Sequence, residues 1–452
     1  MKYKLDIDKS KPKEAFESHS ENFCLYQDRL FDLYELFNNK TKIVDLLDYW
    51  TLNIFCLKRL YGKKGILDFC NSKIDNPQRF SFLYELKNFK KVTEVRKNKT
   101  STLFFYFLRP FVKKIYIPGA VLSSFIHKIF NRISYKYTES IPCKENKDLK
   151  NQLIILLRQL FEESFDLEEL KAIESKIPFI FFSHPINNFN MKEVRVEGSC
   201  ASLLEFIGVE KILLLQNIFI SGYQHGGGYD IFEIDYFADY EKKLSDIFYG
   251  WGFSKYNKPQ KRFKKIKKIS KQIQNTERRI LWIEDSSVPS FYFFTMPYHH
   301  FQSINKITKN YIFNELDGNS IQYSSLYHPG SKSGLYNNFR KDKYSLSGKG
   351  HSENIIEAED ILIFDNSGST LIHFAIENNI IFYSVISRND YERFTKLQKK
   401  HFEVLRKHHF GFFNDEIGGM SKSISSIIED NDYAIPLELI DFNLKISISD
   451  EM

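Results

Sequence analysis

Apolar positions in the first third of the chain recur at helical intervals: Leu30, Leu33, Leu36 and Phe37, then Ile43, Leu46, Leu47, Trp50 and Leu52. A period of three to four residues gathers such side chains on one stripe of a helix, so helices are expected to dominate from about Glu14 to Leu170. The pattern then changes. Ile177–Phe182, Lys211–Leu215 and Ile218–Tyr223 are short continuous apolar runs, the pattern of strands buried on both faces of a parallel sheet. Helical spacing returns at Phe237, Tyr240, Leu244, Ile247 and Phe248, predicting a helix from about Tyr236 to Tyr249 that stops at Gly250-Trp251-Gly252.

A second alternating series opens with a strand at Arg279–Ile283. It continues with a helix around Phe301–Phe313 and a strand from Ile321 into the loop His328-Pro329-Gly330. Beyond it a strand at Ile361–Phe364, a turn at Asp365–Thr370, a helix through Glu377 and a strand at Ile380–Val385 make a βαβ unit. Two such series joined by a polar stretch predict an α/β protein with two doubly wound domains facing a cleft. The expected divisions are a helical region at 1–170 belonging to the first domain, the rest of that domain at 171–257, a basic linker at 258–275, the second domain at 276–430 and a tail at 431–452.

Composition sharpens this picture in few places. A chain of 452 residues exceeds the size at which one core usually keeps growing, and 16% aromatic residues with only 12 Pro and 20 Gly argue against disorder. The charged N-terminus lacks a signal peptide's apolar core, and no run approaches the roughly 18 apolar residues of a spanning helix. Five scattered cysteines without CxxC spacing fit a reducing cytoplasm and argue against structural zinc. Much of the net charge of +7 sits in Lys258–Lys271. That block suits a solvated linker or a peripheral contact with an anionic membrane face about equally, and nucleic acid is the weaker partner because no nucleic-acid fold signature accompanies it.

The chemistry concentrates at two places. Gln224-His225-Gly226-Gly227-Gly228-Tyr229-Asp230 follows an apolar strand. Its glycines let a ligand approach the backbone, and His225 can serve as general acid or base because the unperturbed pKa of an imidazole lies near physiological pH. Asp230 and Glu241 are the nearest useful carboxylates, and Glu241 shares a helical face with Ser245. In the second domain Ser367, Ser369 and Thr370 lie where a helix begins, so hydroxyls and free amides can meet a phosphate, although capping alone explains such residues equally well. His328, at a strand's carboxyl end, is a further donor to that phosphate or to a ribose. No histidine pair has metal-ligand spacing, no cofactor is expected, and the Walker, GxGxxG and GxSxG templates are absent.

The loop, with Asp239-Tyr240-Glu241, Ser245-Asp246 and Gly250-Trp251-Gly252, resembles a bacterial family of surface-carbohydrate transferases in which a QHGGxYG loop precedes an acidic helix and a WGW segment. That family is similar to GT-B glycosyltransferases using CMP-activated ulosonic acids such as Kdo. The resemblance covers about 216–253 well and about 323–403 more loosely. Asp230 stands where the family has glycine, Phe253 replaces the second tryptophan, His373 an acidic residue and Ile380 a proline. The resemblance implies two Rossmann-like domains and a metal-independent transfer from a CMP-sugar to a capsule, O-antigen or lipooligosaccharide acceptor, at the inner face of the membrane. It places His328, Ser367, Ser369 and Thr370 at the donor phosphate and His225 at the reaction, with Asp230, Glu241 or the upstream Glu197 as carboxylate. A CDP-polyol transferase and a basic membrane- or polysaccharide-binding adaptor are the competing readings.

Overall fold

A computed structural model describes residues 10–37, 39–74, 77, 80, 114–117, 141, 143–185, 192–197, 209–215, 218–224, 229, 231, 233, 236–250, 258–259, 279–284, 322–327, 345–346, 356–357, 359–364, 369–429 and 438. The chain divides into two compact units: Met1–His225 with Tyr236–Phe248 and Pro289–Met296, and Gly226–Asp235 with Tyr249–Val288 and Pro297–Met452.

In the first unit α1 (Ser10–Leu33) lies along α2 (Lys40–Cys70). Ile43, Leu46, Leu47, Trp50, Leu52, Ile54 and Leu57 of α2 are all fully buried, so this is a core helix covered on every side. Just past α1, the Tyr34 hydroxyl donates to the Phe181 carbonyl at 2.7 Å. Helix α3 (Lys147–Phe161) is capped by Asn146, whose side chain accepts from the Leu149 amide. A capping box of Asp166 and Glu169 starts α4 (Leu167–Lys176). Glu169 is fully buried, and Lys58 Nζ of α2 reaches its two carboxylate oxygens at 2.5 and 2.6 Å.

One sheet runs in the order β1 (Lys114–Ile117), β4 (Glu193–Glu197), β5 (Phe219–Tyr223), β6 (Ile247–Gly250) and β7 (Lys258–Pro259). β1 is parallel to β4, β4 to β5, and β6 to β7. A small antiparallel pair, β2 (Cys143–Glu145) with β3 (Ser183–Pro185), stands apart from it. The expected strand at 218–223 is present. The apolar runs at 177–182 and 211–215 instead form 3-10 turns, Phe179–Phe182 and Val209–Leu214. Ile180, Phe181, Phe182, Ile212, Leu213 and Leu214 are all buried, so the runs mark burial and not strand, an ambiguity inherent in short apolar segments. β1 and β2 also interrupt the region expected to be helical.

The helix expected over 236–249 ends early. α5 is Tyr236–Lys243, and Ile247–Gly250 is strand β6. Asp246 causes the switch: its amide donates to the Ile220 carbonyl at 2.8 Å while its Oδ2 accepts from the Ile220 amide at 2.7 Å, docking the chain beside β5. Lys42 Nζ holds the other carboxylate oxygen at 2.6 Å. Ser245 packs so closely on β5 that a Cβ at Gly222 would lie 2.1 Å from its Oγ.

The second unit holds the sheet β10-β9-β8-β11-β12-β13, from β8 (Arg279–Glu284), β9 (Gln322–Tyr327), β10 (Ser345–Leu346), β11 (Ile361–Phe364), β12 (Phe382–Ile386) and β13 (Gly411–Phe413). All five pairings are parallel. Counted along the chain the order is 3-2-1-4-5-6, a doubly wound arrangement whose direction reverses between β8 and β11. The expected βαβ unit is present, with α6 (Thr370–Asn378) crossing from β11 to β12 and ending at Asn379 in the left-handed region (φ 55). Both strands are buried along their whole length, as a sheet covered on two faces requires. α7 (Arg388–Arg393), α8 (Lys396–Lys407) and α9 (Ile417–Glu429) complete the unit. The chain is thus α/β, its two larger sheets built from parallel pairings among the described strands. The helix expected around 301–313 lies outside the described residues.

Candidate functional site

Open parallel sheets bind ligands outside the carboxyl ends of their strands, at the reversal of strand order. In the second unit that place is between β8 and β11. Register pairs Tyr327 of β9 with Glu284 of β8, and Phe364 of β11 with Ile283, so three strand ends finish in line. Position 328 follows directly from β9, and positions 365–368 lead from β11 into α6. His328 and Ser367 themselves lie outside the described residues.

Ser369 is the N-cap of α6, with extended backbone (φ −74, ψ 127) and a side chain that accepts from the Leu371 amide at 3.3 Å. The hydroxyl proton is still available to a ligand oxygen, so capping and phosphate binding are compatible. Thr370 is the first helical residue, placing its amide among those without an intrahelical partner, where the helix dipole favours an anion.

In the first unit Glu197 ends β4 in register with Tyr223, which ends β5. Gln224, next in the chain, is buried. Glu197 and the start of the glycine loop therefore leave the same sheet edge side by side. His225, Gly226, Gly227, Gly228 and Asp230 lie outside the described residues, as does all of the basic block except the two residues of β7.

After the glycines the chain joins the second unit. Tyr229 and Ile231 are buried there, the Glu233 amide donates to the Arg393 carbonyl at 2.9 Å, and the Thr395 amide donates to the Ile231 carbonyl at 2.9 Å. α7 follows β12, so this anchor lies on the carboxyl side of the second sheet. Burial lowers the Arg393 guanidinium below its ordinary range and Asp390 opposes that shift, which makes it a cation that gains from a nearby anion.

Glu241 is fully buried on α5, and the Ser245 hydroxyl donates to its backbone carbonyl at 2.8 Å. Sequence reading missed the group beneath this helix. Asp48 of α2 bonds to Tyr240, whose ring lies tilted on Tyr49 with centroids 5.2 Å apart. Burial pushes the Asp48 carboxyl up to about 7, against the Tyr240 hydrogen bond and Lys243. Asp45 is raised by the same cause. His19, packed between Phe23 and Phe55, is lowered to about 3 by burial and lies 3.7 Å from Asp48. The signal was present: two carboxylates, Asp45 and Asp48, interrupt the mostly apolar stretch Ile43–Leu57 of this helix.

Among the described residues no group of three or more His, Cys, Asp and Glu is placed to hold a metal ion, and no helix is long and apolar enough to cross a membrane.

Residues 210–334 match the model of a family described as LIC12162 family transferase, a span of less than half the chain. A search of the curated proteins returns no match. Among solved structures the chain is similar to the spinosyn rhamnosyltransferase SpnG complexed with spinosyn aglycone, at 10% identity and a TM-score of 0.31, over 67% of this chain and 77% of that one. The same protein complexed with thymidine diphosphate is similar at 10% identity and a TM-score of 0.31, over 67% and 76%. The strand orders above do not depend on this weak likeness.

Proposed function

We propose that the chain is a glycosyltransferase of GT-B type, the second unit holding a nucleotide-activated sugar and the first presenting the acceptor. The observation that carries the reading is the doubly wound 3-2-1-4-5-6 sheet, with the ends of β9, β8 and β11 in line beside the Ser369-capped start of α6. The partial match to a transferase family supports it. The donor we infer, from the loop resemblance, is a CMP-activated ulosonic acid such as Kdo, and the acceptor a surface glycan or its lipid-linked precursor.

In this reading His328, Ser367, Ser369 and Thr370 bind the donor phosphate. Helix amides and a cation such as Arg393 offset charge on the leaving group, which is where transition-state charge develops. His225 moves the proton. Asp230, Glu241 or Glu197 supplies the carboxylate, as a nucleophile if the anomeric configuration is retained.

CMP at one hundred times its Kd is expected to stabilise the chain by about 2.7 kcal/mol, read as a rise in Tm. In Ser369→Ala the intrinsic stability falls by about 1 kcal/mol and the CMP-induced shift shrinks. A shift with UDP or GDP and none with CMP reassigns the base. Consumption of CDP-glycerol with no CMP-sugar turned over selects the polyol-phosphate reading. His225→Ala is expected to lower kcat by about 100-fold or more, the scale of a lost general acid or base, with little change in stability. The adaptor reading expects His225→Ala to be silent and neutralisation of Lys258–Lys271 to abolish membrane or polysaccharide binding.

A further inference from the structure

The turn between α7 and α8 leaves backbone groups that neither helix can satisfy. Phe394 (φ −64, ψ 147) and Thr395 (φ −57, ψ 155) are both extended, so the Arg393 carbonyl at the end of α7 and the Thr395 amide at the start of α8 have no partner within their helices. Each is met by the stretch that follows the glycine loop: the Glu233 amide donates to the Arg393 carbonyl, and the Thr395 amide to the Ile231 carbonyl, both at 2.9 Å. One bond runs each way, as in an antiparallel strand pair. Phe394 and Ile231 are fully buried and Tyr229 nearly so, which adds apolar attachment to this clasp. Thr395 also caps α8, its hydroxyl oxygen accepting from the Gln398 amide at 3.2 Å.

Gln224, directly after β5, and Tyr229 are both buried, and between them the sequence holds only His225 and three glycines. Chain reach alone keeps the Cα atoms of His225 and Tyr229 within about 14 Å of each other. Asp230 lies in the chain between the buried Tyr229 and Ile231. Glycines impose little conformation of their own, so the fixed ends of such a short stretch decide where its histidine stands. We propose that the α7–α8 turn is the anchor of the glycine loop and sets where His225 and Asp230 are delivered, with Ile231 and Thr395 as positioning residues. The effect on turnover rests on the reading of this loop as catalytic, but the clasp does not.

Thr395→Pro tests the clasp at a single atom. Proline has no amide proton, and its ring carbon takes the place of that proton against the Ile231 carbonyl. The backbone already suits it: φ −57 at 395 lies in the proline range and the preceding residue is extended. Thr395→Ala loses the same capping hydroxyl but keeps the amide, so the two variants differ at the bond to Ile231.

In hydrogen exchange of the full chain, peptides covering 226–235 are expected to lose protection about tenfold in Thr395→Pro relative to Thr395→Ala, the weight of one hydrogen bond. Peptides covering 361–386 should exchange alike in the two. In the transfer assay kcat of Thr395→Pro is expected about 100-fold below that of Thr395→Ala, the scale for a reacting group misplaced by about 1 Å. The donor's KM and the CMP-induced rise in Tm should be the same in both. Three glycines inserted after Gly228 keep every residue of the clasp and add about 10 Å of reach. That variant is expected to lose kcat with exchange of 229–235 unchanged, and it decides the matter if Thr395→Pro unfolds the unit. Equal exchange at 226–235 in the two Thr395 variants overturns the anchor, as does equal kcat in them or wild-type turnover in the insertion variant. Absence of turnover by wild type with every nucleotide donor sinks the transferase reading and leaves the exchange comparison as the test of the clasp.

Discussion

Alanine at position 222 is expected to destabilise the first unit by about 3 kcal/mol, the upper end of the range for overpacking. A Cβ there would lie 2.1 Å from Ser245 Oγ, 2.8 Å from Phe248 Cδ2 and 3.0 Å from Ser245 Cβ, so relief needs backbone movement. The backbone has little freedom to give it. β5 lies inside the sheet between β4 and β6, and Asp246, next to Ser245, is tied to Ile220 through both its amide and its carboxylate. Thermal or urea unfolding of the purified chain measures the loss. Adding Ser245→Gly removes two of the three clashes and is expected to recover more than half of it. Wild-type stability in Gly222→Ala means that the strand and the Ser245 turn do not approach this closely.

The second large effect is expected at Lys58. Its Nζ lies 2.5 and 2.6 Å from the two oxygens of Glu169, a carboxylate with no solvent exposure. Lys58→Met keeps the packing of the stem but strands the carboxylate, with only the Asp166 amide, 2.9 Å from Oε2, to oppose the burial. Removing one partner of a buried pair costs about 3–5 kcal/mol. Lys58→Met with Glu169→Gln, which needs no counter-charge and retains an acceptor for Asp166, is expected to regain most of the loss. A loss below about 1 kcal/mol in the single variant would mean that water reaches Glu169 in solution.

These two sites show what the sequence carried and what it did not. The βαβ unit at 361–386 was legible because each element announces itself separately: an all-apolar strand, a Ser-Thr helix start and a second all-apolar strand. Core helix α2 was legible from periodicity alone. The end of α5 was not, since Leu244, Ile247 and Phe248 fit a helix, and only the pairing of Asp246 with a residue 26 positions away makes them turn and strand. β4 carried a readable signal, the alternation Glu193-Val194-Arg195-Val196-Glu197, overlooked beside longer apolar runs. For the candidate site, the Ser369 cap and the neighbouring ends of β4 and β5 follow from local pattern. The Asp48–Tyr240 contact does not, because it joins helices nearly two hundred residues apart.

That separation has a consequence during synthesis. α2 is buried along most of Lys42–Leu57, yet one of its covers is α5, whose last residue is Lys243. At roughly 5–20 residues per second, a ribosome that has finished Cys70 needs on the order of ten to thirty-five seconds to complete α5. Until then Tyr49 lacks the Tyr240 ring that covers it, so nascent chains stalled or cleaved before position 236 present this part of the core helix to chaperones and to one another. Fragments ending there should sediment with aggregates, whereas those extended through β6 should stay dispersed.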